Sequence, residues 1–253
     1  MPTPYDSYDY LSYWEDRSFE DNCERMAVEK FLKKIGWRET VIDIGGGFGR
    51  LLSLYAPFFH KCVIIDPSEK LLAIGRQLNK NIKNVSFKKA SLPKLPFGQG
   101  TFEVALMIRV SHHLPHLLPA LKEISRVLKT DGFLVLEVAN KIHFLARVRA
   151  FLTGDFFFAK DLSSVERRSP ESIKHRSIAF SNHHPRQVIG DLTKAGFVVR
   201  ETSSVSNFRS LFLKKIFPIS WLLEGEARCQ KPLGRLFFGP SIFILAQKKK
   251  LSF

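Results

Sequence analysis

The run Val41-Ile42-Asp43-Ile44-Gly45-Gly46-Gly47-Phe48-Gly49 constrains this chain more than any other stretch. An apolar segment interrupted by one acid gives way at once to glycines. Glycine takes positive φ without strain, and its missing Cβ lets backbone approach a ligand closely. A glycine loop that closes a buried strand belongs at the carboxyl edge of an open α/β sheet, where ligands bind. The helix that it feeds, expected over residues 48–54, offers free N–H groups to an anionic ligand group. Dinucleotide sites place G-x-G-x-x-G here, which needs glycine at position 50. That position is Arg50, so the dinucleotide pattern fails. What stands is G-x-G-x-G at Gly45, Gly47 and Gly49, with Asp43 two residues ahead of the first glycine.

The rest of the chain supplies the sheet that this loop requires. After Gly36, short apolar runs alternate with amphipathic stretches. Strands are expected at residues 41–44, 61–65, 85–88, 102–108, 133–138, 197–202 and 241–247. Helices are expected over 11–35, 48–54 and 68–78, from strand four to about residue 128, and over 185–196. Strands buried on both faces and alternating with helices indicate an α/β fold: a doubly wound, mostly parallel seven-stranded sheet. The 253 residues suit one domain. Within it we expect an N-terminal helical cap (1–36), a ligand-binding core (37–140), decorations at 141–185 and 207–239, and a last helix and strands at 186–206 and 240–250.

Cys23, Cys62 and Cys229 are scattered and odd in number, neither a disulfide framework nor a CxxC zinc pattern. A reducing, cytoplasmic setting is expected. The polar, acidic start is unlike a secretory signal, and no apolar run approaches the roughly 20 residues of a membrane span. The net charge of +15 is uneven: residues 1–24 hold seven acids and one base, whereas residues 141–253 hold 20 bases and eight acids. A basic body attracts nucleic acid, anionic lipid or an acidic substrate, and charge alone does not choose among them.

With these residues in order, the chain resembles the class I S-adenosylmethionine (SAM)-dependent methyltransferases, in the broad group called methyltransferase type 11. Asp43 through Gly49, Gly46 included, is similar to the family's first motif, which cradles the methionine end and ribose of SAM. Ile65-Asp66-Pro67-Ser68 resembles the end of strand two, where an acid takes both ribose hydroxyls. One carboxylate offers two oxygens to two adjacent hydroxyls. Leu95-Pro96-Phe97, Phe102-Glu103-Val104 and Glu123 to Lys129 match later landmarks. Where the family usually carries an adenine-binding Asp this chain has Ser91, whose hydroxyl, or the N–H of Leu92, is the expected substitute. Lys129-Thr130-Asp131-Gly132 replaces the usual Pro-Gly-Gly turn. The resemblance also implies Arg109 at the cofactor, and a lid of N-terminal aromatics (Tyr5, Tyr8, Tyr10 and Tyr13) over the sulfonium. Arg17 is then the partner of the SAM carboxylate; the alternative is a helix packed on the sheet with Arg17 solvated.

Methyl transfer from a sulfonium needs mainly alignment, and a base helps where the acceptor is a hydroxyl or an acidic carbon. The stretch from Arg109 to His116 directly follows strand four. Its His113, with His112 beside it, matches an HHL element of the family, and both are candidate catalytic residues. No metal site is expected, because Pro115 interrupts the His112–His116 spacing and there is no HExxH. No Asn/Asp-Pro-Pro-Tyr/Phe follows strand four and no Pro-Cys motif is present. Exocyclic-amine and cytosine-C5 methylation by those routes are therefore not expected. Phe208, Leu211, Phe212, Ile216 and Ile219 recur at helical spacing beside Arg209, Lys214 and Lys215. The preferred reading packs this face on the core; the other turns it to a membrane or to an apolar acceptor. The expected acceptor is a small, apolar or lipid-like molecule. RNA methylation and a non-catalytic SAM-fold scaffold are the rival readings, and the oligomeric state is open.

Overall fold

The computed structural model of the protein describes residues 6, 10–174 and 178–250. The strands are β1 (Arg38–Ile44), β2 (Phe59–Asp66), β3 (Val85–Lys89), β4 (Phe102–Met107), β5 (Leu128–Ala139), β6 (Val165–Glu166), β7 (Ser181–Asn182), β8 (Phe197–Val205) and β9 (Ser241–Lys248). Seven form one sheet in the order β3-β2-β1-β4-β5-β9-β8. The first five are parallel, and β9 runs antiparallel to both its neighbours. The expected doubly wound sheet is therefore present. The pair β6–β7 stands apart as a short antiparallel ladder.

The alternation of side chains along each strand divides the core into two layers. Val41, Cys62, Ile64, Val104, Leu106, Val135 and Phe243 face one layer. Their chain neighbours Ile42, Val63, Ile65, Ala105, Met107, Leu134 and Ile244 face the other. The first layer is covered by α2 (Ser18–Ile35), whose Phe19, Cys23, Ala27, Phe31 and Leu32 are buried at helical spacing. It also takes Leu52 and Tyr55 from α3 (Leu52–Tyr55), and Leu72 from α4 (Glu69–Leu78). The second is covered by Leu121 and Ile124 of α5 (Leu118–Val127) and by Val188 and Leu192 of α8 (Pro185–Lys194). Each fully buried side chain of this size contributes about 1.5–3 kcal/mol.

The remaining helices are α1 (Tyr10–Glu15), α6 (Phe144–Leu152), α7 (Pro170–Lys174), α9 (Leu211–Ile216) and α10 (Ile219–Arg235). The N-terminal helix expected as one piece breaks at Asp16-Arg17 into α1 and α2. The helix expected over residues 48–54 shrinks to the four residues of α3. Gly47 and Gly49 hold φ of 52° and 80°, outside helical range, and Pro57 stands just beyond. No helix N-terminus therefore faces the ligand edge there. Lys129-Thr130-Asp131-Gly132 is not a turn ahead of strand five but a bulged start within it. Asp131 has φ 62°, and the register with β4 shifts between Phe102 and Val104. Leu95-Pro96-Phe97 and Glu123 to Lys129 turn out to be one joint: Arg126 donates to the carbonyls of Leu95 and Phe97, while Glu123 accepts from Leu95 N–H at 2.7 Å.

The apolar face of residues 207–219 does not all pack on the core. Phe208 and Leu213 do, but Leu211, Phe212, Ile216 and Ile219 are 76%, 68%, 54% and 42% exposed. Phe144, Leu145, Phe151, Leu152, Phe156 and Phe157 are likewise exposed. Among the described residues no helix is long and apolar enough to cross a membrane.

Candidate active site

A cavity of about 350 Å³ opens at the carboxyl ends of β1, β2 and β4. The glycine loop forms its floor. Gly45 has φ 70°, and a Cβ there would meet Val110 Cγ2 at 2.3 Å; at Gly46 it would meet the Asp43 carboxylate at 2.6 Å. Side chains on this loop would fill the cradle, so glycine is required by both conformation and space. Gly45, Gly46 and Gly47 line the cavity with Asp43, Asp66, Pro67, Ser91 and Leu92. Gly49 does not; its N–H donates to the Gly46 carbonyl at 2.8 Å and closes the turn from behind.

Two buried carboxylates face this floor. Asp43 Oδ2 accepts from the Tyr55 hydroxyl at 3.0 Å, and burial pushes its carboxyl up to about 7. Asp66 accepts from Ser68 N–H through Oδ1 at 2.8 Å and from Gly47 N–H through Oδ2 at 3.1 Å. Burial raises it to about 6. Each carboxylate oxygen has capacity for a further hydrogen bond, so Asp66 can take two adjacent hydroxyls while it holds the loop.

The wall above the floor was not foreseen from the sequence. Trp14 of α1 lies under Arg50, whose guanidinium carbon is 3.7 Å from its ring centroid. Arg50 donates to Glu24 at 2.6 Å and pairs with Asp21. Glu24 is fully buried, and its other oxygen receives Arg109 Nε at 2.7 Å. One carboxylate of α2 thus ties the end of the glycine loop to the tip of β4. Arg109 takes φ 62°, a strained value for a residue with a Cβ. It is held by Glu24 and by Glu137, which accepts from Arg109 N–H at 3.1 Å. Arg109 and Trp14 line the cavity; Tyr13 and Arg17 do not. The Arg17 guanidinium instead lies 4.2 Å over the Tyr13 ring. Tyr5 and Tyr8 lie outside the described residues.

His113 lines the cavity and His112 does not. The His113 Nδ1 lies 2.8 Å from the Ala179 carbonyl, so Nδ1 carries the proton and Nε2 is the acceptor nitrogen of the neutral ring. Burial lowers its pKa. His112 is buried against Phe180, ring centroids 4.6 Å apart. Burial first, then the charges of His113 and Arg109, push it down to about 2. A ring that stays neutral throughout the working range is a wedge behind His113 rather than a proton carrier.

The comparisons with known proteins agree with this geometry. Residues 42–136 match the family model described as a methyltransferase domain. The chain belongs to the class I SAM-dependent methyltransferases. Its cofactor is S-adenosylmethionine. Among curated relatives of this methyltransferase, the uncharacterized methyltransferase YcgJ of Bacillus subtilis is 29% identical over 36% of this chain and 37% of its own length. The ubiquinone/menaquinone biosynthesis C-methyltransferase UbiE of Brucella anthropi is 31% identical over 49% of this chain and 54% of its own length. The chain thus spans about a third to a half of these two relatives. In fold it is similar to the methyltransferase solved in complex with the Trm112 activator of Haloferax volcanii, with TM-score 0.63, 17% identity and 95% of each chain covered.

The residues fit the cofactor. The cradle has room only for backbone, and Asp66 has two oxygens to offer the ribose. That role carries a pH signature. Below about pH 6 the Asp66 carboxyl holds a proton and cannot accept two hydroxyls. SAM affinity should therefore fall by about tenfold between pH 7 and pH 5, readable by titration calorimetry across that range; a flat profile would contradict it. The stability of the ligand-free chain moves the other way. Asp43 and Asp66 titrate higher folded than their ordinary 3.8. The native state thus binds more protons between about pH 4 and 7, and stability declines as pH rises through that window.

Proposed function

We propose that this chain moves the methyl group of SAM to a small, apolar or lipid-like acceptor by in-line displacement. The observation that carries the acceptor class is Phe180. It is 40% exposed, it packs on His112, and it adjoins the carbonyl that orients His113. An acceptor that reaches the cavity past His113 meets an aromatic, water-facing surface. The exposed side chains of α6 and α9 extend that character over the decorations, which we read as the substrate side. UbiE, a relative over half of this chain, has quinone biosynthesis in its name.

Bound SAM supplies an electrophilic methyl group on a sulfonium. Asp66 and the N–H groups of the glycine loop hold the nucleoside, Ser91 and Leu92 border the adenine, and Arg109 and Trp14 close the methionine end. His113 Nε2 takes the proton that the acceptor loses as its oxygen or carbon bonds to the methyl. His112 and Phe180 position that ring. The reading is tested by incubating the protein with methyl-labelled SAM and, separately, a lipid extract and total RNA. Label should appear in the organic phase. Label in RNA instead would make this an RNA methyltransferase, and label in neither, with SAM bound, would favour a scaffold. With an acceptor in hand, His113→Gln should lower kcat by about 100-fold while SAM affinity stays within about twofold. An unchanged kcat would remove the base.

A further inference from the structure

Cations from three separate segments converge beside this cavity without counter-charges. Arg147 projects from α6, and its Nε is buried with no hydrogen-bond partner among the described residues. Arg167 follows β6, and its N–H donates to the Phe180 carbonyl at 2.7 Å, which sets it next to the residue packed on His112. Arg209 precedes α9, where Arg109 and Arg17 are its cationic neighbours and Glu20 its acidic one. The three meet around His143: burial first, then Arg209, Arg167 and Arg147, hold that imidazole below its ordinary pKa. None of the three forms an ion pair among the described residues. The acids that border them are engaged elsewhere: Glu20 with Lys214, Glu24 with Arg50 and Arg109, Glu166 with Arg168, Asp161 with Lys141.

Like charges gathered at one place repel, and three forked guanidiniums match the oxygens of phosphate better than any neutral group. We propose that Arg147, Arg167 and Arg209 form an anion subsite at the mouth of the cavity, and that the acceptor carries a phosphate or diphosphate group that seats there. The apolar part of the acceptor then lies along Phe180 with its reacting atom toward His113. This inference rests on the methyltransferase reading of the cavity, and its test separates the two.

The full-length protein, saturated with S-adenosylhomocysteine, is titrated with inorganic pyrophosphate at low salt. One-to-one binding is expected. Arg147→Gln combined with Arg209→Gln should weaken it by about tenfold or more, and the single exposed Arg167→Gln by about threefold. Lys249→Gln with Lys250→Gln removes the same charge from an exposed end and should change it by less than about twofold. Absence of pyrophosphate binding, or a loss matched by the lysine control, overturns the subsite. So does binding to phosphatidylglycerol vesicles that pyrophosphate fails to compete, because the cluster would then be a membrane patch. The Arg167→Gln variant keeps the test decisive if the double variant does not fold. Failure to bind S-adenosylhomocysteine would instead overturn the cofactor reading.

Discussion

Replacing Asp66 by alanine should abolish SAM binding at any practical concentration while the fold persists. The carboxylate serves two groups of partners. It accepts from Gly47 and Ser68 N–H and so fixes the loop, and it offers its remaining capacity to the ribose. A hydrogen bond to a charged group is worth about 1.5–3 kcal/mol. Two lost at the ribose are about 3–6 kcal/mol, or roughly 100-fold to more than 1,000-fold in affinity. Two hydrogen-bond donors of the loop also lose their acceptor, which loosens the cradle. Titration calorimetry with SAM reads the loss, and circular dichroism checks the fold. An Asp66→Ala protein that binds SAM within tenfold of the native chain would show that the nucleoside is held elsewhere.

Removing Glu24 should be the most destabilising single change at the site. Its carboxylate is wholly buried between Arg50 and Arg109. Taking one partner from a buried ion pair costs about 3–5 kcal/mol, because the other charge stays buried without its partner. Here two guanidiniums are left facing each other. For a chain of this size that is a fall of roughly 10 °C in Tm. Glu24→Gln keeps the volume and removes the charge, so it should lie near Glu24→Ala if charge is what matters. SAM affinity should fall as well, since Arg50 carries Trp14 and Arg109 forms the opposite wall. A Tm within about 2 °C of the native chain would mean that the triad contributes little.

The parallel half of the sheet was legible because its strands are buried on both faces and punctuated by turn residues. The floor of the site was legible too. Gly45, Gly47, Asp43 and Asp66 sit at fixed offsets from strand ends, and offsets are local. The wall was not. Trp14, Glu24, Arg50 and Arg109 come from four distant parts of the chain, and nothing in their spacing says that one carboxylate joins them. Arg50 entered the sequence argument only as the residue that breaks a dinucleotide pattern; folded, it is half of the cavity's aromatic stack. The nearest sequence signal was Asp21, Glu24 and Arg25 on one face of α2, which reads equally well as a solvated helix. The helix after the loop was overestimated because apolar residues at 51, 52 and 54 suggested a run that positive-φ glycines and Pro57 cut short. Periodicity at 208–219 correctly indicated helix, but periodicity does not state whether anything covers the apolar side. There Leu211 and Phe212 face water.

His112 and His113 are adjacent and look equivalent in the sequence, and folding separates their roles. One ring turns to the cavity with its tautomer set by a backbone carbonyl. The other is sealed behind it by Phe180. The segment that does this, residues 178–180, is more than 60 positions away in the chain.

The central claim is that the cavity above Gly45–Gly47 is built for S-adenosylmethionine. Its most direct test is calorimetric titration of the purified protein with SAM, with S-adenosylhomocysteine and with NADH. Micromolar one-to-one binding of the first two and none of NADH is the result expected, because Asp66 is placed for a ribose and Arg50 stands where a dinucleotide loop needs glycine. Binding of NADH, or of none of the three, would contradict it.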